Sequence, residues 1–102
     1  WKKSIYFNCI ETSIDKIKEE VIIANNCNKI NISTWAVKDE SRQIHRFKEI
    51  SLTRLKLHST TGNNNETDIF WNSKTNIWNN DRDTLYLFDK DNNIVHFSSY
   101  GY

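Results

Sequence analysis

Four aspartates gathered near the C-terminus, Asp81, Asp83, Asp89 and Asp91, are the residues whose type and spacing could most readily do chemistry. Paired D-x-D carboxylates supply the hard oxygen ligands that calcium takes, but an EF-hand loop also needs glycine at its sixth position and an acid at its twelfth. Counted from Asp89, those positions hold Ile94 and Tyr100. The acids are therefore expected to end and turn strands, and no cofactor or metal ion is expected. His45, His58 and His96 are dispersed, without the H-x-H or H-E-x-x-H spacing that sets two imidazoles on one zinc ion. Cys9 and Cys27 match neither a disulfide framework nor a metal knuckle, and are expected to be small buried hydrophobes, with a bridge as the alternative. Neither lies in an activated motif and no G-x-S-x-G occurs, so no catalytic residue is expected and the chain reads as non-enzymatic.

Two binding chemistries remain. Arg42, Arg46, Arg54 and Lys56 could contact nucleic-acid phosphates if they share a sheet face, the plainer alternative being a solvated strand surface. Phe70, Trp71, Trp78 and Tyr86 could form an aromatic platform for protein or carbohydrate, with Phe70 and Trp71, beside a long polar loop, its expected exposed members. A net charge of +1 over 102 residues gives no global field to attract nucleic acid or membrane. No apolar run is long enough for a transmembrane segment.

The elements that must position these residues are strands. Residues 5–10 are β-branched and aromatic and read as the first strand, and 11–19 as a loop with one turn of helix. Residues 20–25 read as a central strand, 30–39 as a strand with a corner at Ser33 and Thr34, and 53–59 as a strand with Leu55 and Leu57 inward. Residues 60–68 read as an exposed, mobile loop. Residues 83–88 and 94–99 alternate on either side of D-K-D-N-N and read as a β-hairpin. With a hydrophobic fraction of 37% and an aromatic fraction of 13%, the chain can bury a core. It is expected to be one domain over residues 1–102, an all-β sandwich or barrel of short strands, with Trp35 as core anchor.

These residues carry a family resemblance. An E-x-V-x-I-x-N strand appears as Glu19, Val21, Ile23 and Asn25, and an L-S-G-W-x-L-x-D segment as Ile32, Ser33, Thr34, Trp35, Val37 and Asp39. A longer W-N-N pattern follows as Trp78, Asn79, Asn80, Asp83, Thr84, Leu87, Asp89, Val95, Tyr100 and Gly101. In this order the motifs resemble the lamin tail domain, the immunoglobulin-like β-sandwich of nuclear lamins and of many bacterial and archaeal proteins. Thr34, Arg82 and Asn92 stand where that pattern has glycine.

Alternation along these strands predicts a core built on Val21, Ile23, Trp35, Val37, Leu85 and Leu87. The resemblance implies a binding or anchoring module within a larger protein, with a protein partner and, as alternatives, nucleic acid or surface carbohydrate. Prokaryotic members resemble accessory domains of secreted or surface proteins, so a secreted or cell-surface location is expected, with a nuclear one as alternative.

Overall fold

Alternation along two strands builds the centre of the structure. In β2 (Glu20–Asn25) Val21 and Ile23 point inward, and across the antiparallel register they meet Leu57 and Leu55 of β7 (Arg54–His58). Side chains of strands alternate between faces, so one side of this pair is apolar and the other carries Arg54 and Lys56. The computed structural model describes residues 2–79 and 81–101; Trp1 of the expected lead-in and Asn80 of the W-N-N pattern lie outside the described residues. The remaining strands are β1 (Ile10–Asp15), β3 (Ile30–Asn31), β4 (Ala36–Lys38), β5 (Ile44–Arg46), β6 (Ser51–Leu52), β8 (Asp68–Phe70), β9 (Asp83–Phe88) and β10 (Ile94–Tyr100).

They form two four-stranded sheets, ordered β1-β2-β7-β8 and β10-β9-β4-β5, with β3 and β6 paired separately. The protein is an all-β sandwich. The outer strand β1 of one sheet lies near the outer strand β10 of the other. One pairing departs from the expected antiparallel pattern, since β8 runs parallel to β7. The expected core residues fill the interior: Val21, Val37 and Leu85 are 0% exposed, Ile23 and Leu87 1%, and Trp35 3%.

The β9–β10 hairpin forms as expected, with a bulge between Ile94 and His96. Its turn is held by the Asp89 carboxylate, which accepts the N–H groups of Asp91 and Asn93, while Asn92 takes the left-handed conformation (φ 61°). Asn visits that region at small cost, so a turn that glycine would suit forms without one. Thr34 also sits there, at φ 66°, in the expected corner before Trp35. Its N–H donates to the Phe47 carbonyl, so β5-side contacts hold a β-branched residue where glycine would relax. Arg82 needs no positive φ. Gly101 supplies the freedom instead, for a Cβ there would collide with the Asp81 carbonyl.

Three expectations are corrected over residues 5–27. Residues 5–9 are not a strand; they wind into turns in which Ser4 and Tyr6 carbonyls accept the N–H groups of Phe7 and Cys9. The first strand is β1, read from sequence as loop and helix turn, whose inward residues Ile10, Thr12 and Ile14 recur every second position. Local β propensity at Tyr6 and Phe7 loses to tertiary contacts, among them Tyr6 against Trp35 with ring centroids 5.4 Å apart. Cys9 and Cys27 are not separate buried thiols but a disulfide, because the turn after β2 carries Asn26 back to donate its N–H to the Cys9 carbonyl. Spacing along the chain could not show that juxtaposition.

The 60–68 loop is exposed but tied down by its own side chains. Asn64 Oδ1 accepts the Phe70 N–H at 2.8 Å, Asn65 Oδ1 accepts the Thr67 and Asp68 N–H groups, and Asn72 Oδ1 accepts that of Gly62. Gly62 lies flat on the Phe70 ring, at a place where any Cβ would come within 2.6 Å of ring carbons.

Candidate functional site

Two places at the surface concentrate aromatic and polar side chains. The first is the outer face of the β10-β9-β4-β5 sheet. Paired residues in an antiparallel sheet point the same way, and the register sets Phe97 beside Tyr86, Tyr86 beside Lys38, and Lys38 beside Ile44. Phe97 is 57% exposed and Ile44 40%. Phe7, from the turns before β1, leans on Phe97 with centroids 6.4 Å apart, under the Lys3 ammonium. Lys38 covers the buried Phe88 ring at 5.2 Å. Short pockets open on both sides of Tyr86, one reaching Arg42 and Ile44 and the other Lys3 and Phe97.

The second is a cleft of about 430 Å³ at the β5 edge of that sheet, between β5 and the loop before β8. Its rings are His45, Phe70 and Trp71, and its polar margin includes Arg46, Asn64, Asn65 and Glu66. His45 packs edge-on against Phe47 and 5.7 Å from Trp71, and burial pushes its pKa below the usual imidazole value. Trp71 rests at right angles on Trp78, which is fully inside. Trp78 in turn is anchored by Glu19: its buried carboxylate accepts the N–H groups of Ile77 and Trp78.

The sequence candidates divide between these places. Phe70 and Trp71 both line the cleft, but Phe70 is partly consumed by structure, stacked on His58 at 4.6 Å and covered by Gly62. The four aromatics form no single platform, because Trp78 is core and Tyr86 belongs to the other sheet face. The four basic residues do not share a sheet: Arg54 and Lys56 lie on β7, whereas Arg46 lies on β5 and Arg42 in the turn before it. His45, Asn64, Asn65 and Phe97 were missed by sequence reasoning. The Asn residues read only as loop formers, and the cross-strand row containing Phe97 requires the register.

Neither the acids nor the histidines gather into a metal site, and no group of three or more metal-ligating side chains occurs among the described residues. Asp83 is buried and accepts N–H groups from Glu40, Asn79 and Thr84. Asp39 accepts from Ser41 and Gln43. Both carboxylates are thus occupied in closing turns. His58 uses both ring nitrogens, Nε2 donating to Asp68 Oδ1 at 2.8 Å while Nδ1 lies 3.3 Å from Glu20. The His58 contact holds the Asp68 carboxyl below its usual range. The trio fastens β8 to β7 and β2, which leaves no nitrogen of His58 for a ligand.

Against known protein families and characterised proteins, the sequence matches none. Among the described residues no helix is long and apolar enough to cross a membrane.

Proposed function

We propose that the chain is a non-enzymatic protein-interaction or anchoring module that docks its partner on the outer face of the β10-β9-β4-β5 sheet. The observation that carries this reading is the cross-strand row Phe97, Tyr86, Lys38 and Ile44, four strands wide, with an exposed ring at one end and an exposed aliphatic chain at the other. Contiguous exposed apolar surface on a small protein marks interaction sites. Lys3, Lys38 and Arg42 share the margin of this face with Asp39 and Glu40, so the partner it suits is a protein surface with an apolar centre and a rim of mixed charge.

The lamin-tail resemblance supports the same reading, since that family is one of binding modules without catalytic residues. The Cys9–Cys27 bridge fits an oxidising compartment and so favours a secreted or surface location over a nuclear one. Division of the basic residues between two sheets favours protein over nucleic acid, because phosphate contacts need cations along one continuous path.

A photoreactive residue placed at position 97, with position 54 on the other sheet as control, tests this in the cells that make the protein. The cross-linked partner, purified and titrated, should bind at least tenfold more weakly to Phe97→Glu, and Lys38→Glu should lose less and flatten the salt dependence. Equal cross-linking from position 54, or unchanged affinity for Phe97→Glu, would overturn the assignment.

A further inference from the structure

The cleft between β5 and β8 adjoins the β5 end of the docking face, and its lining describes a ligand of different chemistry. We infer that it is a carbohydrate site, in which one neutral sugar ring lies against Trp71 and is fixed by the side-chain amides of Asn64 and Asn65. At about 430 Å³ it has the size of a small-ligand site. Its floor is aromatic, with His45 and Trp71 in contact across the gap between the sheets, and the C–H face of a pyranose is the apolar surface that packs on such rings.

The polar margin narrows the class further. Asn64 and Asn65 spend their Oδ1 atoms on the backbone, at 2.8 Å from the Phe70 N–H and 2.8 Å from the Asp68 N–H. A planar amide held by its oxygen presents its Nδ2 hydrogens on the opposite side. Both amide donors are therefore set before any ligand arrives, at little cost in ordering. Acceptors are supplied by Glu49 and Glu66, and donors also by Arg46 and Lys48, so two cations and two carboxylates balance around the cleft. A balanced margin with both donors and acceptors suits hydroxyl groups, which are both, and gives no net attraction for an anion. His45 adds no charge near neutrality, since burial disfavours its protonated form.

Cellotetraose, chitotetraose and mannotetraose serve as neutral probes, with tetragalacturonate as the anionic comparison. Titrated at millimolar concentration against isotope-labelled protein, at least one neutral probe should shift the side-chain amide resonances of Asn64 and Asn65 and change the tryptophan fluorescence. Asn64→Asp with Asn65→Asp keeps the oxygen that holds the loop and removes the donors, so binding should fall about tenfold while the amide spectrum of the sheets is unchanged. Trp71→Leu should lose binding altogether. Failure of all three neutral probes, tighter binding of tetragalacturonate, or full binding by the doubly substituted protein would overturn the inference. Each outcome is independent of whether Phe97 docks a protein.

Discussion

The two open sides of the sandwich solve the same problem in different ways. At one, β1 and β10 are six and seven residues long, and Thr12 of one sheet meets His96 of the other at 2.9 Å. The Lys2–Ser4 backbone bonds to Ile94 and covers the start of β10, and the Cys9–Cys27 bridge clamps the end of the β1–β2 pair. At the other side β5 and β8 have three residues each, and rings span what strands do not. The first side is covered by an added backbone segment; the second leaves a cleft walled by side chains. The difference places the candidate ligand site at the side with the shortest strands.

The comparison is broken most severely at the bridge. Replacing Cys9 and Cys27 by serine releases a closure of 18 residues in sequence separation, and unfolding by denaturant should show a loss of about 3 kcal/mol. Hydrogen exchange should rise first in β1, while β5 and β8 keep their protection. Uniform acceleration would mean that the two sides do not open separately.

At the other side the equivalent support is Gly62. Gly62→Ala forces a methyl group against the Phe70 ring, so the loop or the ring must move, at a cost of about 2 kcal/mol. Its signature is loss of protection at the Phe70 amide, which Asn64 now accepts, with β1 and β10 unaffected. An unchanged melting temperature with an unchanged Phe70 amide would show that the ring is free to turn aside.

The contrast also explains what could be read from sequence. Long strands announce themselves by a period of two: β2, β7 and the β9–β10 hairpin were legible, and with them the core of Val21, Ile23, Leu85 and Leu87. Strand β1 carries the same period in Ile10, Thr12 and Ile14, but Ile14 and Ile17 also match a helical spacing, and only pairing with β2 decides between them. The cleft was half legible. Trp71 and Phe70 stood out by type, whereas Asn64 and Asn65 act through hydrogen bonds that depend on where β8 lies. Since β8 runs parallel to β7, no hairpin signal marks it. The disulfide and the separation of Arg54 from Arg46 are products of topology alone.

A smaller effect of opposite sign is expected on the β5 side of the corner before Trp35. Thr34 occupies the left-handed region at φ 66°, a conformation that costs a β-branched residue about 1 kcal/mol more than glycine. Thr34→Gly should therefore stabilise the protein by up to about 1 kcal/mol, offset in part by the greater freedom of glycine when unfolded. A lower melting temperature would show that the threonine side chain contributes contacts that outweigh its backbone strain.

The smallest effect compares the sides through their histidines, His96 beside β1 and His45 beside β8. Burial lowers both pKa values below the ordinary 6.5, although Glu11 draws that of His96 back upward. The unfolded chain thus binds protons at a pH where the folded chain does not, and its slope with pH is positive. Stability contributed by the neutral rings is present above about 6.5, and is lost as pH falls from there through the folded-state values. Melting temperature should decline gently on acidification from neutrality through this window. His45→Gln and His96→Gln should each remove part of the slope. A slope of opposite sign would mean that protonated histidine is favoured in the fold.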